Sequence, residues 1–142
     1  MLLELRTNNK QRFIAGVDMN AVLGRSRGHP SIGNVTLGQT SDKGTIARGN
    51  LYATRLLAVN TFTFPGSPVP SATTFVGHHF QFNRQIDFLL ADFRTFQRFR
   101  CWKTLEGIDC RTDHLAVLGE LELAEPLQPW TPIHKPIRWL PH

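Results

Sequence analysis

The chain has 142 residues, 41% of them hydrophobic, with a net charge of +5 at pH 7 and a pI near 9.9. This describes one domain with a core of its own and excludes a disordered chain; the modest basic excess suits a polyanionic partner without specifying one. Two cysteines are too few for a disulfide framework, Cys101, Cys110 and His114 offer three zinc ligands with nothing marking a fourth, and no stretch approaches the roughly 18 consecutive apolar residues of a membrane span.

The start, MLLELRTNNKQR, reads as a short amphipathic helix through Leu2, Leu3 and Leu5 that ends in a polar turn at Asn8 and Asn9. Acid and base so close to Met1 do not fit a secretory signal, and an intracellular protein is expected, nuclear if it acts on chromosomal DNA. Phe13, Ile14, Ala15 and Val17 then climb like a buried strand and end in Asp18, Met19 and Asn20. Strand parity puts Asp18 and Asn20 on one face. Such an exit is either turn chemistry, in which both side chains bond the turning backbone, or the rim of a site.

GRSRGHPSIGN (24–34) reads as a mobile, solvated loop. Asn50 can cap a short helix over 51–56, and LLAVNTFTF (56–64) reads as a strand. After the proline-marked loop at 65–72, TTFV (73–76) and RQIDFLLA (84–91) form a hairpin candidate joined by 77–83. In DFRTFQRFRCW (92–102), Phe93, Phe96, Phe99 and Trp102 recur every three residues between arginines, a spacing used in cores more often than in base stacking. FRCWKTLEG (99–107) and LAVLGELEL (115–123) are two further strands. The last segment carries five of the nine prolines and two tryptophans, so residues 1–125 read as the domain and 126–142 as a linker or tail. HExxH, the GxxxxGK[ST] loop and GxSxG are absent from the sequence.

Three polar islands carry the chemistry: Asp18 with Asn20, Asp87 inside RQIDFLL, and Thr112-Asp113-His114 just before a strand. Parity places Ile86, Phe88 and Leu90 on one face and Gln85, Asp87 and Leu89 on the other, so Asp87 is a carboxylate among apolar neighbours that needs a partner. His114 is its natural couple, the carboxylate fixing the imidazole tautomer. Acids, an amide and an imidazole at three strand ends, with no sulfur, describe a site for a hard divalent cation, Mg²⁺ or Mn²⁺, and a phosphate.

In order and spacing, VDMN (17–20), Asn60-Thr61, TTF (73–75), RQID (84–87) and TDH (112–114) resemble the second half of the endonuclease/exonuclease/phosphatase superfamily. The loop lengths and the NLYATRLLAVNTFTF stretch are most similar to its non-LTR retroelement members, the apurinic-like endonucleases. The resemblance covers about residues 1–123. It implies an α/β fold, the second half of a four-layer α/β sandwich with a mostly antiparallel sheet and flanking helices. It implies hydrolysis of phosphodiesters or phosphomonoesters with Mg²⁺ or Mn²⁺, in which Asp18 prepares the attacking water, Asn20 helps to hold it, Asp87 orients His114, His114 contacts a phosphate oxygen, and Asp18 and Asp113 lie at the metal. DNA is the implied partner, with a polymerase region of a larger polyprotein beyond the tail.

Several positions depart from the family pattern. Val17 stands for the usual glycine, Met19 for an aromatic or leucine, Thr112 for serine and Phe75 for tryptophan. The family's first half, with the glutamate that is a principal metal ligand, has no counterpart in this sequence. The expectation is therefore a truncated DNA endonuclease, incomplete in fold and weakly active or inactive, that requires a missing N-terminal half. The alternatives are a non-catalytic nucleic-acid or protein-binding remnant and a small-molecule phosphatase of the same superfamily.

Overall fold

The computed structural model describes residues 2–7, 10–25, 28–77, 82–106 and 112–123. The tail at 126–142, the Asn8-Asn9 turn, residues 78–81 of the hairpin connection and Cys110 lie outside the described residues.

The N-terminal residues form a strand, not the expected helix: β1 (Leu2–Thr7) pairs antiparallel with β2 (Lys10–Asp18) in a register running from Leu2 opposite Ala15 to Thr7 opposite Lys10. The reason lies in the period. Leu3 and Leu5 alternate with Glu4 and Arg6, and so short a segment falls well below the ~12–15 residues at which an isolated helix becomes even marginal.

Helix α1 (Asp42–Thr54) starts well before the expected 51–56. Its cap is Ser41 in place of Asn50, with the hydroxyl accepting from Gly44 N–H at 3.1 Å and from Val22 N–H at 3.2 Å. Gly44 and Gly49 mask this helix from a propensity reading. Gly44 is required by contact, since a Cβ there would come within 2.0 Å of the Val22 carbonyl oxygen. The strand expected over 56–64 is likewise shorter: β3 (Leu56–Ala58) gives way to one 3-10 turn, Val59–Thr61.

The hairpin expected between 73–76 and 84–91 is present only as a short pair, β4 (Phe75–Val76) with β5 (Asn83–Arg84); the apolar strand that follows, β6 (Asp87–Asp92), pairs instead with β2 and β3. Next come α2 (Phe93–Phe96) and the antiparallel pair β7 (Phe99–Leu105) and β8 (Ala116–Leu121). The main sheet has the order β1-β2-β6-β3, antiparallel throughout its named strands. The 24–34 segment is not simply a solvated loop. Ser31 and Ile32 are buried, Ile32 bridges Ala58 in parallel, and Ala58 N–H donates to Ser31 O at 2.9 Å. The architecture is thus α/β. Among the described residues no helix is long and apolar enough to cross a membrane.

Strand β6 is apolar on both faces because both are covered. Phe88 and Leu90 pack with Leu23, Ile32, Leu51 and Ala58 on the side of α1. Leu89 and Ala91 face Val59, Phe96, Phe99 and Leu121 on the side of β7 and β8. The aromatic run at 92–102 mostly serves this second core: Phe99 and Trp102 are buried, Trp102 Nε1–H donates to Phe62 O at 2.8 Å, and Phe93 points out.

Asp92 closes the sheet. It ends β6, caps α2 through bonds from Arg94 and Thr95 N–H to Oδ1, and takes Phe13 N–H at 2.6 Å and the Thr95 hydroxyl at 2.8 Å on Oδ2. Burial alone pushes this carboxyl up, and the hydrogen bonds outweigh it and hold its pKa below the ordinary 3.8. Asp92→Ala is expected to cost about 2 kcal/mol at neutral pH, the upper part of the range for a lost cap. Because the folded pKa is depressed, that contribution is present above 3.8 and is lost as pH falls through the lowered value. Urea unfolding of parent and variant should show a gap at neutral pH that narrows in acid; a gap independent of pH would assign the loss to packing alone.

Candidate functional site

The last residues of β2 and the first of β6 face each other in register, with Asp18 directly opposite Asp87. Like charges at such a position repel and are normally avoided. The third member comes from the segment entering β8: His114 Nδ1 lies 3.1 and 3.0 Å from the two Asp87 oxygens. A carboxylate accepts, so Nδ1 carries the hydrogen and Nε2 is the ring nitrogen left for other partners. One ligand atom each from Asp18, Asp87 and His114 lies within 4.8 Å of the others.

The side chains grade from cover to solvent: Asp87 is 20% exposed and His114 35%, while Asp18 is open. Gly16, two residues before Asp18 and on the same face, is also exposed, and a Cβ there would meet nothing within 4 Å. A lane along the end of β2 therefore leads to the group.

Backbone position here is set by side chains acting in place of a neighbouring strand. Strand β3 pairs with β6 only as far as Leu90. Beyond it, Asn60, fully buried in the 3-10 turn, accepts from Leu89 N–H on Oδ1 and donates from Nδ2 to Asp87 O, both at 3.0 Å. Gln85 Nε2 returns to Asn60 O at 2.9 Å. The buried Thr74 hydroxyl then accepts from Ile86 N–H at 2.9 Å and Asp87 N–H at 3.0 Å. Thr74 O accepts from Leu115 N–H at 2.7 Å, and Val76 N–H donates to Asp113 O at 2.8 Å. One residue thus holds Asp87 and His114 at a fixed separation, and the Phe75 ring meets the His114 ring edge-on at 5.1 Å. A second close fit supports the turn: Gly33 N–H donates to Thr61 Oγ1 at 2.8 Å, and a Cβ on Gly33 would fall within 2.1 Å of Thr61 O.

The structure pairs Asp87 with His114 as expected and adds Asp18. Asn20 does not continue the strand. It turns at φ 46° and its N–H donates to Asp18 Oδ1 at 2.8 Å, so the turn chemistry that is the plainer reading of this exit is present beside the carboxylate pair. Asp113 stands on the outer side of the imidazole, 57% exposed, with Oδ1 4.0 Å from His114 Nε2, outside the three-residue group. Thr112 Oγ1 accepts from His114 N–H at 3.2 Å and shapes the turn. Sequence reasoning missed the framing roles of Thr74, Gln85 and Asn60. Their one local signal is a polar side chain with an apolar neighbour on one side, Phe75 after Thr74, Ile86 after Gln85 and Val59 before Asn60.

Thr74→Val keeps the shape and removes the hydroxyl, leaving Ile86 and Asp87 N–H unpaired; a loss of about 2–4 kcal/mol is expected, with Thr74→Ser close to parent. Chemical denaturation measures the loss, and proton NMR of the His114 Nδ1–H in the folded fraction should show that hydrogen bond disturbed. A Thr74→Val protein as stable as parent would remove Thr74 from the framework. No family model matches the chain, and no curated protein is similar enough to it to stand as a relative.

Proposed function

We propose that the chain supplies the second half of a four-layer α/β sandwich of the endonuclease/exonuclease/phosphatase type, with the Asp18, Asp87 and His114 group as its share of a metal-dependent phosphodiester hydrolase of the DNA endonuclease kind. The carrying observation is the acid pair in register beside a carboxylate-bound imidazole. Two opposed acids are tolerated where positive charge is at hand, and phosphoryl chemistry supplies it as metal and hydrogen-bond donors. The lane at Gly16 and the exposed Leu118 on β8 support the reading of a sandwich that awaits more sheet.

The donors fit a hydrated Mg²⁺ or Mn²⁺ in part. Asp87 is engaged with His114, whereas Asp18 has one oxygen bonded to Asn20 N–H and the other available to an ion that keeps most of its waters. When bound, such an ion neutralises phosphate charge and makes bound water more acidic. Asp18 orients the attacking water, Asn20 lies beside it, and His114, held by Asp87, contacts a non-bridging phosphate oxygen through Nε2. Asp113 adds negative charge at the rim. The glutamate that the family places at the metal would come from a preceding segment or another chain. A phosphomonoester substrate is served by the same groups. A purely binding remnant is the second reading, favoured by the Asp18–Asn20 turn bond, which a plain strand exit also makes.

Titration of ¹⁵N-labelled chain with Mn²⁺ should broaden the Met19 and Asn20 amides first, and Asp18→Ala should abolish that selectivity. Uniform broadening would sink the metal assignment. With Mg²⁺ or Mn²⁺ the chain alone should nick supercoiled plasmid barely above background, since losing about 4 kcal/mol of transition-state stabilisation costs roughly a thousandfold in rate. Robust nicking abolished by both Asp18→Ala and His114→Ala would show that this chain holds a complete site.

A further inference from the structure

The other side of the main sheet carries a different chemistry. Helix α1, its C-cap and the loop before it carry Arg25, Lys43, Arg48 and Arg55 against the single acid Asp42. Hydrogen bonds gather part of this charge. Arg48 donates from one terminal nitrogen to Gly24 O at 3.0 Å and Arg25 O at 2.8 Å, fastening the loop that carries Arg25 to α1. Arg48, Tyr52 and Arg55 follow at helical spacing on one face. Among the described residues, no salt bridge involves Arg25, Lys43, Arg48 or Arg55.

Tyr52 is the aromatic of this patch. It is 65% exposed, and its ring meets His29 in an edge contact at 6.3 Å. His29 Nδ1 accepts from Ser31 N–H at 3.2 Å, and burial together with the Arg48 charge lowers its pKa, so it steadies the tyrosine without adding charge at neutral pH. Arg55 stands at the helix C-cap in the left-handed region, φ 56°, where glycine is the favoured residue. A long cation kept there against backbone preference argues for a use of its side chain.

We propose that this face of α1 and the loop before it bind a single-stranded nucleic acid, with Arg25 and Arg55 on phosphates, Arg48 holding the Arg25 loop against the helix, and Tyr52 stacked on a base. An exposed aromatic among arginines matches the alternation of base and phosphate along a strand, whereas a duplex hides its base faces from a side chain of this kind. The surface shares no residue with the Asp18 group and lies against the opposite face of the sheet, so it stands whether or not that group is catalytic.

The test is fluorescence anisotropy in EDTA, with a fluorescein-labelled mixed-sequence oligonucleotide, single-stranded or annealed to its complement, across a salt series. Chelation keeps the outcome separate from metal binding at Asp18. The parent should prefer the single strand, and Tyr52→Ala should weaken binding roughly five- to hundredfold. Arg25→Gln with Arg55→Gly should flatten the plot of log affinity against log salt by about 1.4, roughly 0.7 for each phosphate no longer neutralised. Glycine suits the backbone at 55, so thermal stability should not fall with the affinity. No binding by the parent, variants that bind as the parent does, or a duplex preference that Tyr52→Ala leaves intact would each overturn the proposal.

Discussion

The geometry of the carboxylate group depends on one hydroxyl. Thr74 Oγ1 accepts from two successive amides of the chain entering β6, and Thr74 O accepts from the amide just after His114. Asp87 and His114, 27 residues apart, are therefore referenced to the same residue as well as to each other. Asn60 extends the arrangement on the side of Leu89. Buried polar networks of this kind are costly when half satisfied and rigid when complete, and here Thr74, Asn60 and Gln85 all have their side chains engaged.

The site also shows a division of labour between covered and open groups. Asp87 spends its oxygens on an imidazole, which fixes the ring and leaves Nε2 outward-facing chemistry; Asp18, in register with it, keeps solvent access. Two identical side chains at one sheet end thus have unlike surroundings, one held against an imidazole and the other open to solvent. Asn20 contributes through its backbone, fixing the Asp18 carboxylate by a turn.

Much of this is legible in the sequence where the period is clean. Apolar runs mark β2 and β6, β-rich segments mark β7 and β8, and an acid between Ile86 and Phe88 demands the partner that His114 supplies. The failures have physical causes. Leu2, Leu3 and Leu5 fit a helical stripe as well as a strand, and only pairing with β2 decides between them. Helix α1 is hard to read in full because Gly44 and Gly49 weaken its intrinsic propensity, while the reason for Gly44, the nearby Val22 carbonyl, is a tertiary contact. Ser31 and Ile32 resemble loop residues because a glycine- and proline-rich surrounding hides a single bridge to Ala58. The framing role of Thr74 is invisible for the same reason: a threonine next to a strand gives no sign of which amides it will meet.

The order of the main sheet bears on how the chain reaches this state. Its central strand, β6, is flanked by β2 and β3, which precede it by long stretches of chain; Phe13 and Asp92, joined by a hydrogen bond, are 79 residues apart. Loop closure over such spans precedes any reward from pairing, so the sheet is a slow, late event by comparison with the local β7–β8 ribbon. Asp18, Asp87 and His114 sit on segments that meet only when that closure is done. A collapsed chain with its helices and ribbon in place would still have Asp18 and Asp87 apart, and during synthesis the three-residue group is incomplete until the segment carrying His114 has emerged and docked.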